Sequence, residues 1–436
     1  MILPTRRLLL LLCLPAAAAW LLPGGAGLTA LIVGNAVVLA MAGIDLARSP
    51  RPGQLHTERI LPRRLSLGEW HTITWRIRCE AKVAVQVHLV QELPDSIEAQ
   101  PPRLAATAAA DAVTSVEQRL RGMKRGAFEA GAMHLRMWTR GGLLLRQVRI
   151  GQTQPLPVYP GVRGIARYEL ALRRHQLKFM GVALARRVGQ SRTFESLRDY
   201  VPGDEPGDVA WKATARRRKL TVRNYELERS QNVMLMVDCG RLMTSVVDGL
   251  TRLDHVTNAA MLLAHVAARQ GDHIGLLAFS HRLESYMPPM RGRPAVNAMS
   301  RALLGLQPRL AEPDYEAACR HLALRHRRRS LLVMFTDVID AAASSVLLSY
   351  AARFARLHLP LCVTLRNIDV EAVASRDAAD TDGAFSQAVA LDMLQSRQRA
   401  LEQMRRCGVS ILDVNPRELS PALLQRYLDL KMRSRL

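Results

Sequence analysis

Residues 232–238 read NVMLMVD, and residues 331–337 read LLVMFTD. Each run is almost wholly apolar and ends in an aspartate. An uninterrupted apolar run of this length is typical of a strand that is buried on both faces of a parallel sheet. Asp238 and Asp337 are then predicted at the carboxyl ends of two strands, which is where open α/β sheets bind their ligands.

The same alternation of apolar strands and amphipathic helices continues on both sides of these runs. We predict strands at 232–238, 273–279, 330–336, 359–365 and 409–414. We predict helices at 252–270, 293–306, 315–326, 344–357, 387–406 and 417–432. Strands separated by single helices form a mostly parallel sheet with helices on both faces. Residues 231–436 are therefore predicted to be a doubly wound, Rossmann-type α/β domain.

A different pattern precedes this domain. Apolar and polar residues alternate with a period of two over 71–78, 82–90, 132–138 and 143–150. Period-two runs bounded by Gly and Pro predict half-buried antiparallel strands. Residues 55–158 are thus expected to form a small all-β sandwich, and residues 159–230 a linker to the α/β domain.

The N-terminus carries a long apolar stretch. Leu8 to Ile44 contains 37 residues without a charge and is broken only by the turn-prone Pro23-Gly24-Gly25. One spanning helix needs about 20 residues, so residues 1–47 are predicted to be a transmembrane hairpin. The alternative is a cleaved signal peptide, with Arg6-Arg7 as its basic start, followed by one span.

Both alternatives leave the body of the protein in the cytoplasm, attached to the bacterial inner membrane. The excess of basic residues that follows the stretch agrees with this orientation: Arg48, Arg51, Arg59, Arg63 and Arg64. We expect a multi-pass membrane protein with cytoplasmic soluble domains.

The whole chain is strongly basic, with a net charge of +23. Such a charge suits nucleic-acid phosphates or an anionic membrane leaflet, and an arginine-rich solvated surface would give the same number. No basic stripe is interleaved with aromatic residues, so nucleic acid is the less favoured partner. The six cysteines form no CxxC pair and are predicted to be reduced core residues rather than disulfides or zinc ligands.

The linker contains the most specific motif, FESLRDYVPGDEPGDVAWKATARRRKLTVRNYELERS, at 194–230. Residues 201–204 predict a turn. Asp208 is expected to cap a short helix in which Trp211 buries its ring. Residues 220–225 are expected to form a strand.

This segment resembles the bacterial domain-of-unknown-function family fifty-eight. The matching residues are Leu197, Arg198, Tyr200, Gly203, Asp204, Trp211, Lys212, Ala215, Arg216 and Leu220, and HRRRSLLVMFTD at 326–337 is also similar to the family. Gly207 and Ala210 depart from it, because the family usually has an arginine and an acidic residue there.

The resemblance implies a membrane hairpin, a β-sandwich and a von Willebrand A-like domain, with a MoxR-type AAA+ ATPase as partner. In von Willebrand A domains the first strand ends in Asp-x-Ser-x-Ser and helps to bind a divalent cation. Here Gly240 and Leu242 replace both serines, while Asp337 matches the second acidic position and Asp314 lies near the expected threonine. Two carboxylates alone predict a degenerate site with at most weak Mg²⁺ binding, and Arg241 is a candidate to neutralise Asp238.

No phosphate-binding loop, dinucleotide fingerprint, HExxH or GxSxG motif is present. Asp238 could suggest an aspartyl-phosphate enzyme, but Gly240 stands where the second carboxylate would be needed. We therefore predict a scaffold without enzymatic activity or a required cofactor. It would bind a MoxR-type ATPase or its client proteins through Asp238, Gly240, Arg241 and Asp337. The alternatives are a membrane-tethered, metal-dependent hydrolase or phosphatase that uses Asp238 and Asp337, and an arginine-rich nucleic-acid binder.

Overall fold

The structure is a computed structural model that describes residues 1–21, 25–161, 193–201, 204, 206–226, 230–338, 345–377 and 380–432. The chain divides into two compact units, Met1–Gly161 and Val162–Leu436. Gly203 of the family motif and the predicted turn at Pro23 and Gly24 lie outside the described residues.

Two apolar helices open the first unit, α1 (Arg6–Leu21) and α2 (Gly25–Arg48). Within the described residues, one segment, Gly25–Gln54, is long and apolar enough to cross a membrane. The 16 residues of α1 fall short of the roughly 20 that one span needs. The two helices pack closely, since a Cβ on Gly34 would come within 2.7 Å of the Pro15 side chain.

The rest of the first unit is built from short strands. These are β1 (Ile2–Pro4), β2 (Leu55–Ile60), β3 (Leu65–Ser66), β4 (Trp70–Cys79), β5 (Val85–Gln91), β6 (Ile97–Gln100), β7 (Leu104–Ala108), β8 (Ala112–Gly122), β9 (Glu129–Ala130), β10 (Met133–Trp138), β11 (Leu144–Ile150), β12 (Gln154–Pro155) and β13 (Val158–Tyr159). Antiparallel pairing gives one sheet in the order β1-β11-β10-β5-β7 and another in the order β2-β4-β8-β6. The period-two pattern is confirmed as strands, because β4 buries alternate side chains from Ile73 to Cys79.

Buried hydrogen bonds link the two sheets. Gln118 of β8 accepts bonds from Trp75 Nε1 of β4 at 3.1 Å and from Gln91 Nε2 of β5 at 2.9 Å. Arg59 of β2 donates to Gln91 Oε1 at 3.3 Å. A buried polar group costs free energy unless it is hydrogen-bonded, so these amides constrain how the two sheets pack.

The turn between β10 and β11 receives the ends of both helices. Asp45, near the end of α2, accepts hydrogen bonds from Thr139 Oγ1 at 2.5 Å and from the amide of Gly141 at 2.6 Å. Thr5, just before α1, donates through Oγ1 to the Gly142 carbonyl at 2.7 Å. The preceding strand β1 pairs with β11. The beginning of α1 and the end of α2 are therefore attached to the same turn.

The second unit begins, in its described part, with the antiparallel hairpin of β14 (Thr193–Asp199) and β15 (Thr221–Glu226). Between these strands lies the short helix α3 (Trp211–Arg217). The remaining strands are β16 (Asn232–Asp238), β17 (Val246–Val247), β18 (Leu250–Thr251), β19 (His273–Phe279), β20 (Leu283–Arg291), β21 (Leu331–Phe335), β22 (Leu359–Leu365) and β23 (Ser410–Val414). The remaining helices are α4 (Arg252–Arg269), α5 (Gly292–Leu304), α6 (Tyr315–Arg325), α7 (Ser345–Phe354), α8 (Ile368–Ala374), α9 (Thr381–Arg406) and α10 (Leu419–Met432).

The main sheet has the order β20-β19-β16-β21-β22-β23. All neighbours pair in parallel except β20, which runs antiparallel at one edge. The prediction missed β20 because Pro288 and Pro289 interrupt it, and proline in a strand is tolerated mainly at an edge. It also missed the short helix α8.

Helices cover both faces of this sheet. Val233, Leu235 and Val237 of β16 share a core with α4, α5 and α10, on one face. Met234 and Met236 share a second core with α6, α7 and α9, on the other face. Because successive side chains of a strand point to opposite faces, a fully apolar β16 is what a three-layer arrangement requires.

The chain leaves β16 in one direction and β21 in the other. The connection from β16 leads through α4 to its neighbour β19, while that from β21 leads through α7 to β22 on the opposite side. Such a reversal opens a crevice at the carboxyl ends of the two strands. Asp238 ends β16, and Thr336-Asp337 directly follow β21.

Candidate functional site

Asp238 lies in this crevice and is 1% exposed. Its Oδ1 accepts a hydrogen bond from the Gly240 amide at 2.7 Å. Its Oδ2 accepts bonds from the Tyr315 hydroxyl at 2.9 Å and from Thr336 Oγ1 at 3.0 Å. The two hydroxyl oxygens also lie 2.7 Å apart, but each carries a single proton, which it donates to the carboxylate. Both carboxylate oxygens are therefore satisfied within the protein.

Burial raises the pKa of Asp238 to about 6, against the opposing influence of the three donors. The nearby charge of Asp337 raises this pKa further. Burial also raises the pKa of Tyr315 above its ordinary value, as does the charge of Asp238. Tyr315 is thus kept protonated and acts as a hydrogen-bond donor to the carboxylate.

Gly240 lies where the chain is too crowded for a larger side chain. A Cβ on it would come within 2.9 Å of Pro313 and 3.0 Å of the Ala311 carbonyl oxygen. The Arg241 amide donates to the Ala311 carbonyl at 3.0 Å, which holds the loop at 311–313 against Gly240. A serine at this position, as in a von Willebrand A metal site, would require the loop at 311–313 to move.

Arg241 does not neutralise Asp238, contrary to the sequence-based interpretation. Its guanidinium forms an ion pair with Glu312, and both side chains are more than half exposed. Asp238 instead accepts a hydrogen bond from the Gly240 backbone amide at the end of the strand. Asp314 likewise serves locally, since its side chain accepts the Ala317 amide at 2.8 Å and caps α6.

Asp337 is held between two arginines. Arg252, the first residue of α4, forms a buried ion pair with its Oδ2. Arg397 of α9 lies 3.6 Å from its Oδ1 and binds Asp413 through both terminal nitrogens at 2.9 Å. A buried charge is tolerated when it is paired and hydrogen-bonded. Three elements distant in sequence therefore meet at this carboxylate.

This donor set does not fit a magnesium ion. Mg²⁺ needs close to an octahedral set of oxygen ligands, whereas the oxygens of Asp238 accept three internal bonds. Asp337 faces two guanidinium groups, which supply positive charge where a cation would otherwise lie. Among the described residues, no group of three or more His, Cys, Asp or Glu side chains is arranged to hold a metal.

Sequence reasoning placed Asp238 and Asp337 at neighbouring strand ends, and the structure brings them together there. It missed four of their partners: Tyr315, Thr336, Arg252 and Arg397. Thr336 could have been identified from the sequence, because it directly precedes Asp337 at the end of a strand. The other three lie on helices, and nothing local in the sequence distinguishes them from surface residues.

The described part of the family-motif segment is held by an ion pair and by a backbone hydrogen bond. Arg198 binds Asp204 through two hydrogen bonds of 2.8 and 2.6 Å, and the Tyr200 amide donates to the Leu220 carbonyl at 3.0 Å. Trp211 begins α3 but is 67% exposed, so the expectation of a buried ring is wrong. The predicted cap is also wrong, because Ala210 occupies the N-cap without a side-chain bond.

The fold and this geometry define an α/β domain with two internally satisfied carboxylates at its switch point, preceded by a β-rich unit with apolar helices. The family described as "Protein of unknown function DUF58" matches residues 196–367. Residues 196–367 thus match this family, and the resemblance predicted from the motif residues is confirmed over that region. The matched region includes the motif segment and the strand ends that carry Asp238 and Asp337.

No curated protein matches the chain significantly. Two solved structures are similar in part. The FixG-related protein from Vibrio parahaemolyticus is 8% identical with a TM-score of 0.18, over 24% of this chain and 96% of that one. Proximal thread matrix protein 1 from the mussel byssus is 10% identical with a TM-score of 0.31, over 45% of this chain and 46% of that one. Neither likeness is close enough to bear on function.

Proposed function

We propose that this protein is a membrane-anchored adaptor of the bacterial inner membrane that acts by binding and not by catalysis. Its α/β domain is interpreted as von Willebrand A-like, and its partner as a MoxR-type AAA+ ATPase or the client proteins of that ATPase. The partner would bind to the strand-end rim, the surface formed by Arg241 and residues 309–314 beside Asp238 and Asp337.

The observation that carries this proposal is the saturation of both carboxylates. Asp238 has no oxygen free for a nucleophilic attack or for a metal, and Asp337 is occupied by Arg252 and Arg397. A hydrolase that used these two residues would need at least one of them open to substrate. The geometry therefore gives the hydrolase alternative no support, whereas a fixed rim suits protein binding.

The von Willebrand A-like interpretation is supported by the sheet. Five parallel strands with one antiparallel edge strand, three helices packed on each face, and acidic residues at the switch point are the features it requires. The internal hydrogen bonds and guanidinium groups would then replace the cation of an active metal site.

A membrane hairpin is supported by the contacts of the β10–β11 turn. Asp45 and Thr5 bind this turn from the end of α2 and the start of α1, so both apolar helices leave from the same place. Cleavage of a signal peptide near Ala19 would remove β1, which pairs with Leu144 to Arg146 of β11. These contacts favour an uncleaved hairpin and a cytoplasmic body.

The test is to reverse the charge of Arg241, which is exposed on the rim and forms an ion pair with the exposed Glu312 of the neighbouring loop. Purified full-length protein would be titrated with a purified MoxR-type ATPase from the same organism. We expect Arg241→Glu to weaken binding about tenfold, equivalent to about 1.4 kcal/mol. Arg301→Glu, an equally simple reversal on the exposed side of α5, should leave it unchanged.

Loss of binding in both variants would point to a general charge effect. Unchanged binding in the folded Arg241→Glu variant would remove the rim as the docking face, and absence of binding by the unmodified protein would remove the ATPase as the partner.

A further inference from the structure

A second exposed surface lies in the family-motif segment, away from the carboxylates. Three large apolar side chains are exposed there: Val201 by 56%, Trp211 by 67% and Leu220 by 48%. An exposed tryptophan is uncommon because its ring loses most by remaining in water. Scattered apolar residues need no explanation, but three that lie together do.

Backbone bonds bring these three residues together. The Tyr200 amide donates to the Leu220 carbonyl at 3.0 Å, so Val201 directly follows the residue that pairs with Leu220. The Ala210 amide donates to the Thr221 carbonyl at 2.8 Å, which places Trp211 next to the same strand. The three residues therefore lie at the same end of the β14–β15 hairpin.

The residues beneath them form a platform that is fixed by buried side chains and hydrogen bonds. Val209, Ala210 and Val222 are buried, and the Thr221 amide donates to Thr214 Oγ1 at 3.1 Å. The bidentate pair between Arg198 and Asp204 closes the adjoining turn, since Asp204 also accepts the Val201 amide at 3.0 Å. A side chain presented on such a platform loses little conformational entropy when it binds.

The surroundings of the tryptophan are basic. Five exposed cations follow it on α3 and the next turn: Lys212, Arg216, Arg217, Arg218 and Lys219. Lys212 and Arg216 are four residues apart and share one face of α3, where like charges destabilise a helix. The exposed carboxylate of Asp199, 3.9 Å from Lys219, offsets only part of this charge. Folding alone gives no reason for such a concentration.

We propose that the Trp211 surface, defined by Val201, Trp211, Lys212, Leu220 and residues 216–219, binds an acidic protein segment that carries apolar side chains. Trp211 would be the central anchor, since tryptophan and arginine dominate the binding energy of protein interfaces. Val201 and Leu220 would contact an aliphatic side chain, and the cations would pair with carboxylates at the rim. This surface is distinct from the strand-end rim and does not depend on the ATPase proposal.

Protein is favoured over the other anionic partners by the apolar side chains. Single-stranded nucleic acid binds on several stacked aromatic platforms, whereas one ring beside two aliphatic residues offers one. A membrane-binding helix needs a long amphipathic face, and α3 has seven residues.

The experiment uses full-length protein in nanodiscs of zwitterionic lipid, which leave added vesicles intact, and a fluorescein-labelled synthetic peptide of repeated Glu-Glu-Leu units, followed by fluorescence anisotropy. Control probes are the same peptide with Lys in place of Glu, the same peptide with Ser in place of Leu, a DNA duplex, and vesicles of phosphatidylglycerol. We expect the Glu-Glu-Leu peptide to bind and added salt to weaken it.

Two variants assign the binding to this surface. Trp211→Ala should weaken the peptide at least tenfold, and Arg216→Glu combined with Arg217→Glu should abolish measurable binding. Phe385→Ala removes another exposed ring, 72% exposed on α9, and should change nothing. Trp211 is already exposed, so its loss leaves the fold intact, which circular dichroism would verify.

The proposal is overturned if the peptide does not bind, if the Ser-containing peptide binds equally well, or if the Trp211→Ala protein binds like the unmodified one. It is also overturned if the duplex or the vesicles bind in place of the peptide and this binding is lost in the two variants. Arg241→Glu should leave peptide binding unchanged, which separates this result from the test of the adaptor function.

Discussion

Asp238 places a carboxylate at a strand end, but both of its oxygens are hydrogen-bonded within the protein. Its carboxylate is buried, and three donors partly compensate for the lost water. Burial still prevails, which is why its pKa is raised to about 6. The folded state therefore binds a proton more tightly than the unfolded state, whose aspartate has an ordinary pKa near 3.8.

The consequence is a measurable pH dependence of stability. The free energy of unfolding should fall as the pH rises from about 4 to about 6, because a group with a raised pKa favours the folded state only while it is protonated. Asp238→Asn cannot ionise and should lack this decline, so its stability relative to the unmodified protein should increase across the window. Parallel pH profiles for the two proteins would contradict the interpretation.

The buried thiols of Cys239 and Cys362 provide the readout, since both become reactive only when the α/β domain unfolds. Guanidinium-induced labelling of the two proteins would be compared at each pH, which cancels the intrinsic pH dependence of the thiol. Asp254→Asn is a suitable control, because this aspartate belongs to the capping box of α4 instead of the strand-end site.

At the scale of elements, the described part of the first unit attaches its apolar helices to the β10–β11 turn and to β11. Asp45 of α2 accepts bonds from Thr139 and from the Gly141 amide, and Ser49 accepts the Arg140 amide at 2.8 Å. Arg146 of β11 adds bonds to the Leu46 and Pro50 carbonyls at 2.8 Å. The end of α2 is thus continuous with the β10–β11 turn.

Asp45→Ala should loosen this turn. It leaves donors of the turn without their acceptor, at a cost of about 1 kcal/mol for a partly exposed site. We expect trypsin to cleave after the exposed Arg140 roughly fivefold faster, because local opening governs access to the protease. Glu58→Ala removes an exposed carboxylate of β2 and should not alter the cleavage rate. Equal rates for Asp45→Ala and the unmodified protein would show that the turn is held by other contacts.

At the scale of the molecule, the proposed membrane hairpin makes a topological prediction. Gly25 begins α2 and Gly53 follows its end, and a Cβ at either position would meet no atom within 4 Å. Cysteines can therefore be placed at both without steric cost, with Cys13→Ser removing the exposed thiol of α1. The two positions should lie on opposite sides of the membrane if α2 spans it.

A membrane-impermeant maleimide should label Gly25→Cys in intact cells and Gly53→Cys only after permeabilisation. The reverse pattern would place the body of the protein outside, and labelling of neither in intact cells would favour helices that do not cross. The paired positions act as controls for each other, since both are open glycines at the ends of one helix.

Much of the local structure follows from the sequence. Residues 232–238, 273–279 and 359–365 were predicted as strands and have those same bounds, because a short apolar run between polar ends leaves few alternatives. The helices differ from their predicted bounds by a few residues at most of their ends. The motif residues also predicted the family whose model matches residues 196–367, since they are numerous and closely spaced.

Local sequence patterns thus account for the helices and strands, their arrangement in layers, the DUF58 resemblance of residues 196–367 and the carboxylates at two strand ends. The tertiary structure alone decided what those carboxylates contact and whether Trp211 is buried or exposed. The physical reason is that these contacts join residues that are far apart in the sequence. Periodicity records how each segment meets water, but the pairing of Asp238 with Tyr315, or of Asp337 with Arg252 and Arg397, depends on helices brought together only when the sheet has formed.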